Sequence, residues 1–239
     1  MQHKIEYLGR NVFDGCLIAE KSYYHWTDEE LILPKDLKAF FKPFDYGKRD
    51  KGFDYSISAF IKGCNVKKLD RIIDYGIETC NLAINKNRFF KNFLSIADLP
   101  NDSHYDPIVS FKYNEGFVTG ISFYVTALKN KTLMFSYLES VKQTLSLNVL
   151  PTISNIITDC ICSRCADMFQ VSWDYDKCAQ SQNKIYLKIK NADKFAYIIQ
   201  KDFPYLLEFM DIDGFRFCEL AFVIKNKKLT MFNLYFKPL

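Results

Sequence analysis

The stretch Arg216–Lys237, RFCELAFVIKNKKLTMFNLYFK, constrains this chain more than any other. Two alternating runs flank Lys225-Asn226-Lys227-Lys228, the pattern of paired antiparallel strands joined by a polar turn. Strand side chains alternate with period two. In the second run Phe232, Leu234 and Phe236 therefore share one face, and Asn233, Tyr235 and Lys237 the other. KIYLKIKN repeats the division: Ile185, Leu187 and Ile189 oppose Lys184, Tyr186, Lys188 and Lys190. Closed into a barrel with helices outside, such strands would turn the oily face to the helices and the Lys/Tyr face to a lumen.

The rest of the chain extends this pattern. Residues 4–21 hold two short alternating runs around Asn11 to Gly15, a candidate first hairpin. Thr27-Asp28-Glu29-Glu30 opens a helical pattern through Phe41, with a capping Thr, an acidic first turn and Pro43 just past the end. Residues 53–62 fit a short helix or a strand. From Lys68 to Arg88 the period is contested: Leu69, Ile72, Ile73, Ile77 and Cys80 fit a helix, whereas Ile84, Lys86 and Arg88 alternate. Residues 89–97 look helical. The segment 107–125 is a clear hairpin turning at Asn114-Glu115-Gly116. Two helical segments occupy 131–168, separated near Asn148 and broken by Pro151. A hairpin over 170–190 follows, then a helix opened by Asn191-Ala192-Asp193, and finally the closing hairpin. If the contested segment is a strand pair, five hairpins give ten antiparallel strands with helices between hairpins, which opposes a doubly wound parallel sheet and favours an antiparallel barrel or a large α+β sheet.

Composition sets the outer limits. With 239 residues, 49% hydrophobic and 25% charged, the chain is expected to form a single domain, 1–239, with a real core. A net charge of +4 spread along the length argues against a nucleic-acid surface and leaves room for a local anion pocket. No apolar run reaches the roughly 18 residues of a bilayer span, and MQHKIEYLGR has no secretory h-region. A cytoplasmic monomer without membrane contact is therefore expected, and its eight cysteines read as reduced thiols. Cys160, Cys162, Cys165 and Cys178 contain one C-x2-C spacing where a zinc site commonly has two, so no metal site is expected there. His3, His25 and His104 lack partners at ligand spacing. An Asp-rich DDxxD cluster and Gly-rich phosphate loops are both absent, which disfavours a metal-clamped helical terpenoid enzyme and nucleotide-dependent chemistry.

KIYLKIKNADKF and KKLTMFNLYFKP resemble the fourth and fifth hairpins of the ABBA-fold (PT-barrel) prenyltransferases, especially the branch that prenylates cyanobactin peptides. Glu6, followed by Leu17-Ile18-Ala19-Glu20-Lys21, resembles that family's first hairpin, and PIVSFKYNEGFVTGISFYV takes the place of the third. The resemblance implies an α+β fold: a ten-stranded antiparallel barrel of five hairpins surrounded by helices. It further implies transfer of a dimethylallyl or geranyl group from its diphosphate (DMAPP or GPP) to a nucleophilic side chain of a peptide, as in the biosynthesis of ribosomally made modified peptides. Any Mg2+ would enter through the diphosphate. Three tasks follow from that chemistry. Basic groups must hold the diphosphate, an aromatic cage must shield the allyl cation, and a carboxylate takes the acceptor's proton. The resemblance assigns the first to Lys21, Lys86, Arg88, Lys188 and Lys237, the second to Tyr124, Tyr186 and Tyr235, and the third to Glu6.

Two positions depart from the family. Lys21 stands where Arg is usual and Asn233 where a basic residue is frequent, and Lys gives up the bidentate grip of Arg. The alternative they support is a degenerate barrel that binds a peptide or hydrophobic ligand without catalysis. A further reading makes the lysines the solvated face of an open sheet, the tyrosines interfacial packing and Glu6 a surface charge.

Overall fold

The computed structural model describes residues 7–13, 16–26, 31–49, 54–97, 107–128, 131–147, 150–177 and 181–239. Five antiparallel hairpins follow one another: β1 (Tyr7–Phe13) with β2 (Cys16–Trp26), β3 (Phe41–Arg49) with β4 (Tyr55–Ile61), β5 (Ile108–Asn114) with β6 (Phe117–Leu128), β7 (Ala166–Asp176) with β8 (Gln182–Ile189), and β9 (Phe215–Lys225) with β10 (Lys228–Pro238). Each strand also pairs with its neighbour in the next hairpin, and β10 returns to β1, with Leu8 opposite Phe236 and Val12 opposite Phe232. The antiparallel sheet curls into a closed barrel. The last hairpin turns on Asn226 and Lys227, both at positive φ (48° and 62°), the two-residue turn whose twist matches that of the strands it joins.

Helices lie between hairpins and pack on the outer face. They are α1 (Lys35–Lys38), α2 (Val66–Asp74, continued by a π-helical turn over Tyr75–Thr79), α3 (Lys86–Ala97), α4 (Lys131–Leu145), α5 (Pro151–Ser163) and α6 (Ala192–Ile199). Pro151 begins α5, where a missing N–H costs nothing, and Arg164 ends it in the left-handed conformation. The Asn191 side chain caps α6 by accepting from the Lys194 N–H. Aromatic pairs join the two layers. Phe89 of α3 meets Phe123 of β6 at 4.7 Å between ring centroids, Phe93 meets Trp173 at 5.4 Å, Tyr137 of α4 meets Phe169 at 5.0 Å, and Phe195 of α6 meets Phe217 at 5.6 Å. The buried Tyr137 hydroxyl donates to the Val125 carbonyl at 2.6 Å. Each such ring, fully buried, stabilises the fold by about 1.5–3 kcal/mol relative to exposure.

Two expectations are corrected. The helix through Phe41 shrinks to Lys35–Lys38, with 27–30 outside the described residues, and Phe41 opens a strand. Phe41 is held there by Ile61 across the ladder and by the ring of Phe111 at 5.2 Å. Pro43 lies inside that strand, at the irregularity between Pro43 and Asp45 where its missing N–H is tolerated. The second hairpin is accordingly residues 41–61, and the ambiguous 53–62 segment is its second strand. The contested region 68–88 holds helical segments joined by an irregular stretch, 80–85, instead of a strand pair. Asn65 accepts from the Lys68 N–H at 3.0 Å to start α2, Asn85 accepts from the Arg88 N–H at 2.9 Å to start α3, and Leu69, Ile72 and Ile73 are buried. A smaller difference is that β7 begins at Ala166, inside the stretch whose pattern reads as helix.

Candidate functional site

The residues that pack against helices fix which side chains face inward. Phe123, Phe169, Trp173, Phe217 and Phe232 face outward, so the residues alternating with them line the interior of the barrel. On β6, β8 and β10 that inner face carries Tyr124, Tyr186 and Tyr235. Their rings form a continuous row, 6.0 Å between Tyr124 and Tyr186 and 6.2 Å between Tyr186 and Tyr235. The three tyrosines assigned to one task by sequence are thus neighbours in space. Asn233, on the same face of β10 as Tyr235, directs its Nδ2 to the Tyr235 hydroxyl at 3.5 Å.

Lys188 lies on the inner face of β8, opposite Glu219 of β9, and Glu219 lies opposite Tyr235 of β10. Lys237 is close enough to act on the same carboxylate. Burial pushes the Glu219 carboxyl up to about 7, a rise restrained by the ammonium groups of Lys188 and Lys237. Between the ordinary carboxylate range and this value, folded Glu219 holds a proton that the unfolded chain has lost. Stability therefore falls as pH rises through that window. Glu219→Gln lacks this term. The melting temperature of the variant minus that of the wild type is expected to be more positive at about pH 8 than at about pH 5. A pH-independent difference, read by thermal unfolding in matched buffers, would refute the shifted titration.

A second cluster occupies the same face one level away. Asp174 of β7 accepts from Ser172 Oγ at 2.7 Å and Gln182 Nε2 at 3.3 Å, and pairs with Lys184 Nζ at 2.8 Å. Both members of the ion pair are almost fully buried. Burial alone raises the Asp174 pKa; the charges of Lys184 and Lys112, with hydrogen bonds from Lys184 and Ser172, outweigh it and hold the carboxyl well below its usual range. Lys112 also lies 3.7 Å from Asp176, its stem crossing Gly120, where a Cβ would come within 2.9 Å of the Tyr175 carbonyl oxygen. Buried on this face, Ser122 Oγ and Asn233 Oδ1 have no hydrogen-bond partner among the described residues.

The remaining sequence candidates divide. Lys86 and Arg88 are not brought to the lumen: both lie on α3, outside the barrel, where Lys86 pairs with Asp70 at 2.8 Å and Asp74 at 2.6 Å and Arg88 is exposed. The end of the contested 68–88 segment folds into helix α3, which separates them from Lys188 and Lys237. Lys21 is in β2, opposite Arg10 of β1; its side chain, like the whole of Glu6, falls outside the described residues. Sequence reading missed Glu219, Asp174 and Lys112. Cys160 and Cys165 are buried, at the end of α5 and just before β7, while Cys162 is exposed.

No family model matches this chain, and no curated protein matches it. Among solved structures it is similar to 6-dimethylallyltryptophan synthase from Micromonospora olivasterospora, determined in complex with DMASPP and Trp. The superposition has a TM-score of 0.51 and covers 97% of this chain and 81% of that one, at 9% sequence identity. At that identity the shared property is the fold, an antiparallel sheet curled around an inner face with helices outside.

Proposed function

We propose that this protein is a prenyltransferase of the PT-barrel type, a barrel of five hairpins that moves a dimethylallyl or geranyl group from its diphosphate to a nucleophilic side chain of a peptide. The observation that carries the reading is the tyrosine row Tyr124–Tyr186–Tyr235 beside Lys188, inside a barrel similar in fold to a dimethylallyltryptophan synthase. An allyl cation needs an electron-rich wall and protection from water, and three adjacent phenol faces supply the wall. Charge grows on the departing diphosphate, and Lys188 and Lys237 are inner-face ammonium groups placed to offset it. Mg2+, where used, would travel with the diphosphate oxygens. Lys21, Lys86 and Arg88 keep their sequence-based assignment to the diphosphate, with the outer position of Lys86 and Arg88 weighing against it for those two.

The peptide acceptor rests on the likeness of the first, fourth and fifth hairpins to the cyanobactin branch. It draws support from Ser122 Oγ and Asn233 Oδ1, buried hydrogen-bonding atoms of the kind that a peptide carbonyl and a peptide N–H would satisfy. Glu6 is the group we assign to the acceptor's proton. Incubation with DMAPP or GPP and a panel of linear and cyclic peptides, read by mass spectrometry, tests the whole reading. Prenyl adducts are expected. No adduct across the panel, together with no diphosphate binding by calorimetry, would favour a barrel that binds a peptide without catalysis. Glu6→Gln keeps size and hydrogen bonding while removing the base. Donor binding should persist in it while acceptor alkylation falls by roughly 10²-fold or more. Unchanged alkylation would remove Glu6 from the mechanism.

A further inference from the structure

Glu219 has no role in the scheme above, and its surroundings point to one. It stands between two ammonium groups, Lys188 opposite it on β8 and Lys237 on β10. Tyr235 is its cross-strand partner on β10, Tyr186 lies within electrostatic reach on β8, and Cys218 and Arg216 flank it along β9. Among the described residues its carboxylate makes no hydrogen bond and no close ion pair. A diphosphate held by Lys188 and Lys237 therefore also meets Glu219. Two anionic groups cannot share such a space with both fully ionised, and the group already held up by burial is the one that gives way.

We propose, resting on the reading of this lumen as a donor pocket, that Glu219 is the proton carrier for the leaving group. It takes up a proton as an allylic diphosphate settles between Lys188 and Lys237, and passes it to the oxygen of the breaking carbon–oxygen bond. The electron pair of that bond stays on oxygen, which takes the Glu219 proton. The acceptor atom bonds to the allylic carbon and gives its own proton to Glu6. Glu219 is reprotonated from solvent, from which the residue as a whole is only half-buried. The same residue thus relieves repulsion in the ground state and makes the diphosphate a better leaving group.

The test is calorimetric titration of dimethylallyl S-thiolodiphosphate, an unreactive donor analogue, at about pH 8 in buffers of different ionisation enthalpy. Because Glu219 titrates at about 7 in the free protein, the wild type is expected to take up close to one proton per analogue more than Glu219→Gln does. The variant should still bind. Equal uptake by the two proteins overturns the proton-carrier role and leaves the donor pocket standing, whereas no binding by either overturns both. A second measurement needs only the wild type: kcat/KM for the donor should fall as pH rises above about 7. A flat profile across that range, in an active protein, overturns the proposal even where the variant fails to fold.

Discussion

Asp174→Ala is expected to destabilise the barrel by about 3–5 kcal/mol, because it takes away the buried carboxylate that lies 2.8 Å from the Lys184 ammonium. For a chain of this size each kcal/mol moves the melting temperature by about 2–4 °C, so a drop of roughly 6–20 °C should appear in thermal unfolding. The pair also predicts its own remedy. Removing both charges in Asp174→Leu/Lys184→Met takes away the ion pair as a unit, leaving the Ser172 and Gln182 donors without their acceptor, and should recover part of the loss, since a buried ion pair is worth little against apolar residues of similar volume. The pH dependence has a definite sign. Asp174 is held below its ordinary range, so its contribution is complete above the unfolded carboxylate pKa and disappears as pH falls through the lower, folded value. A single variant that melts within about 3 °C of the wild type would mean that Lys184 finds water or another partner.

Lys188→Met should weaken both capture and turnover of the donor. Lys188 faces the lumen, and the described residues give it no close ion pair to compete with a ligand, whereas Lys184 is already committed to Asp174. A lost charge-assisted contact costs about 1.5–3 kcal/mol, which corresponds to roughly 10- to 150-fold in kcat/KM for the donor. Both parameters should move, KM upward and kcat downward, because the lysine meets more negative charge in the transition state than in the ground state. Steady-state kinetics with varied donor checks this. An unchanged donor KM would return Lys188 to a structural role on the inner face.

The hairpins were legible in the sequence where one strand face is purely apolar, as in 184–190 and 231–237. There the period of two is a direct record of burial on the outside. The second hairpin was hidden because the extra residue near Phe44 breaks the alternation of FKPFDYGKR, and because Pro43 reads as a helix stop when its neighbours across the ladder are unknown. The placement of Lys86 and Arg88 failed with it: residues that alternate on paper sit on a helix once Asn85 caps it. The tyrosine row was legible by parity on each strand, although the contact between Tyr124 and Tyr186 depends on register that no local pattern carries. Glu219 was overlooked inside FCELAFVI. Its signal is a lone carboxylate in an otherwise apolar strand, which can be tolerated only on a face that offers counter-charge. Asp174 carries the same signal within VSWDYD, and its counter-charge comes from a different strand.

The pairing of β1 with β10 joins segments from opposite ends of the described chain, Leu8 to Phe236. During synthesis the first hairpin emerges early and must wait, its free edge unpaired, until nearly every other strand has been made. Such an edge is a template for association with a second chain. The last eleven-residue strand then acts as a keystone, closing the ring at the greatest loop separation in the fold and doing so late, since contacts so distant in sequence form slowly.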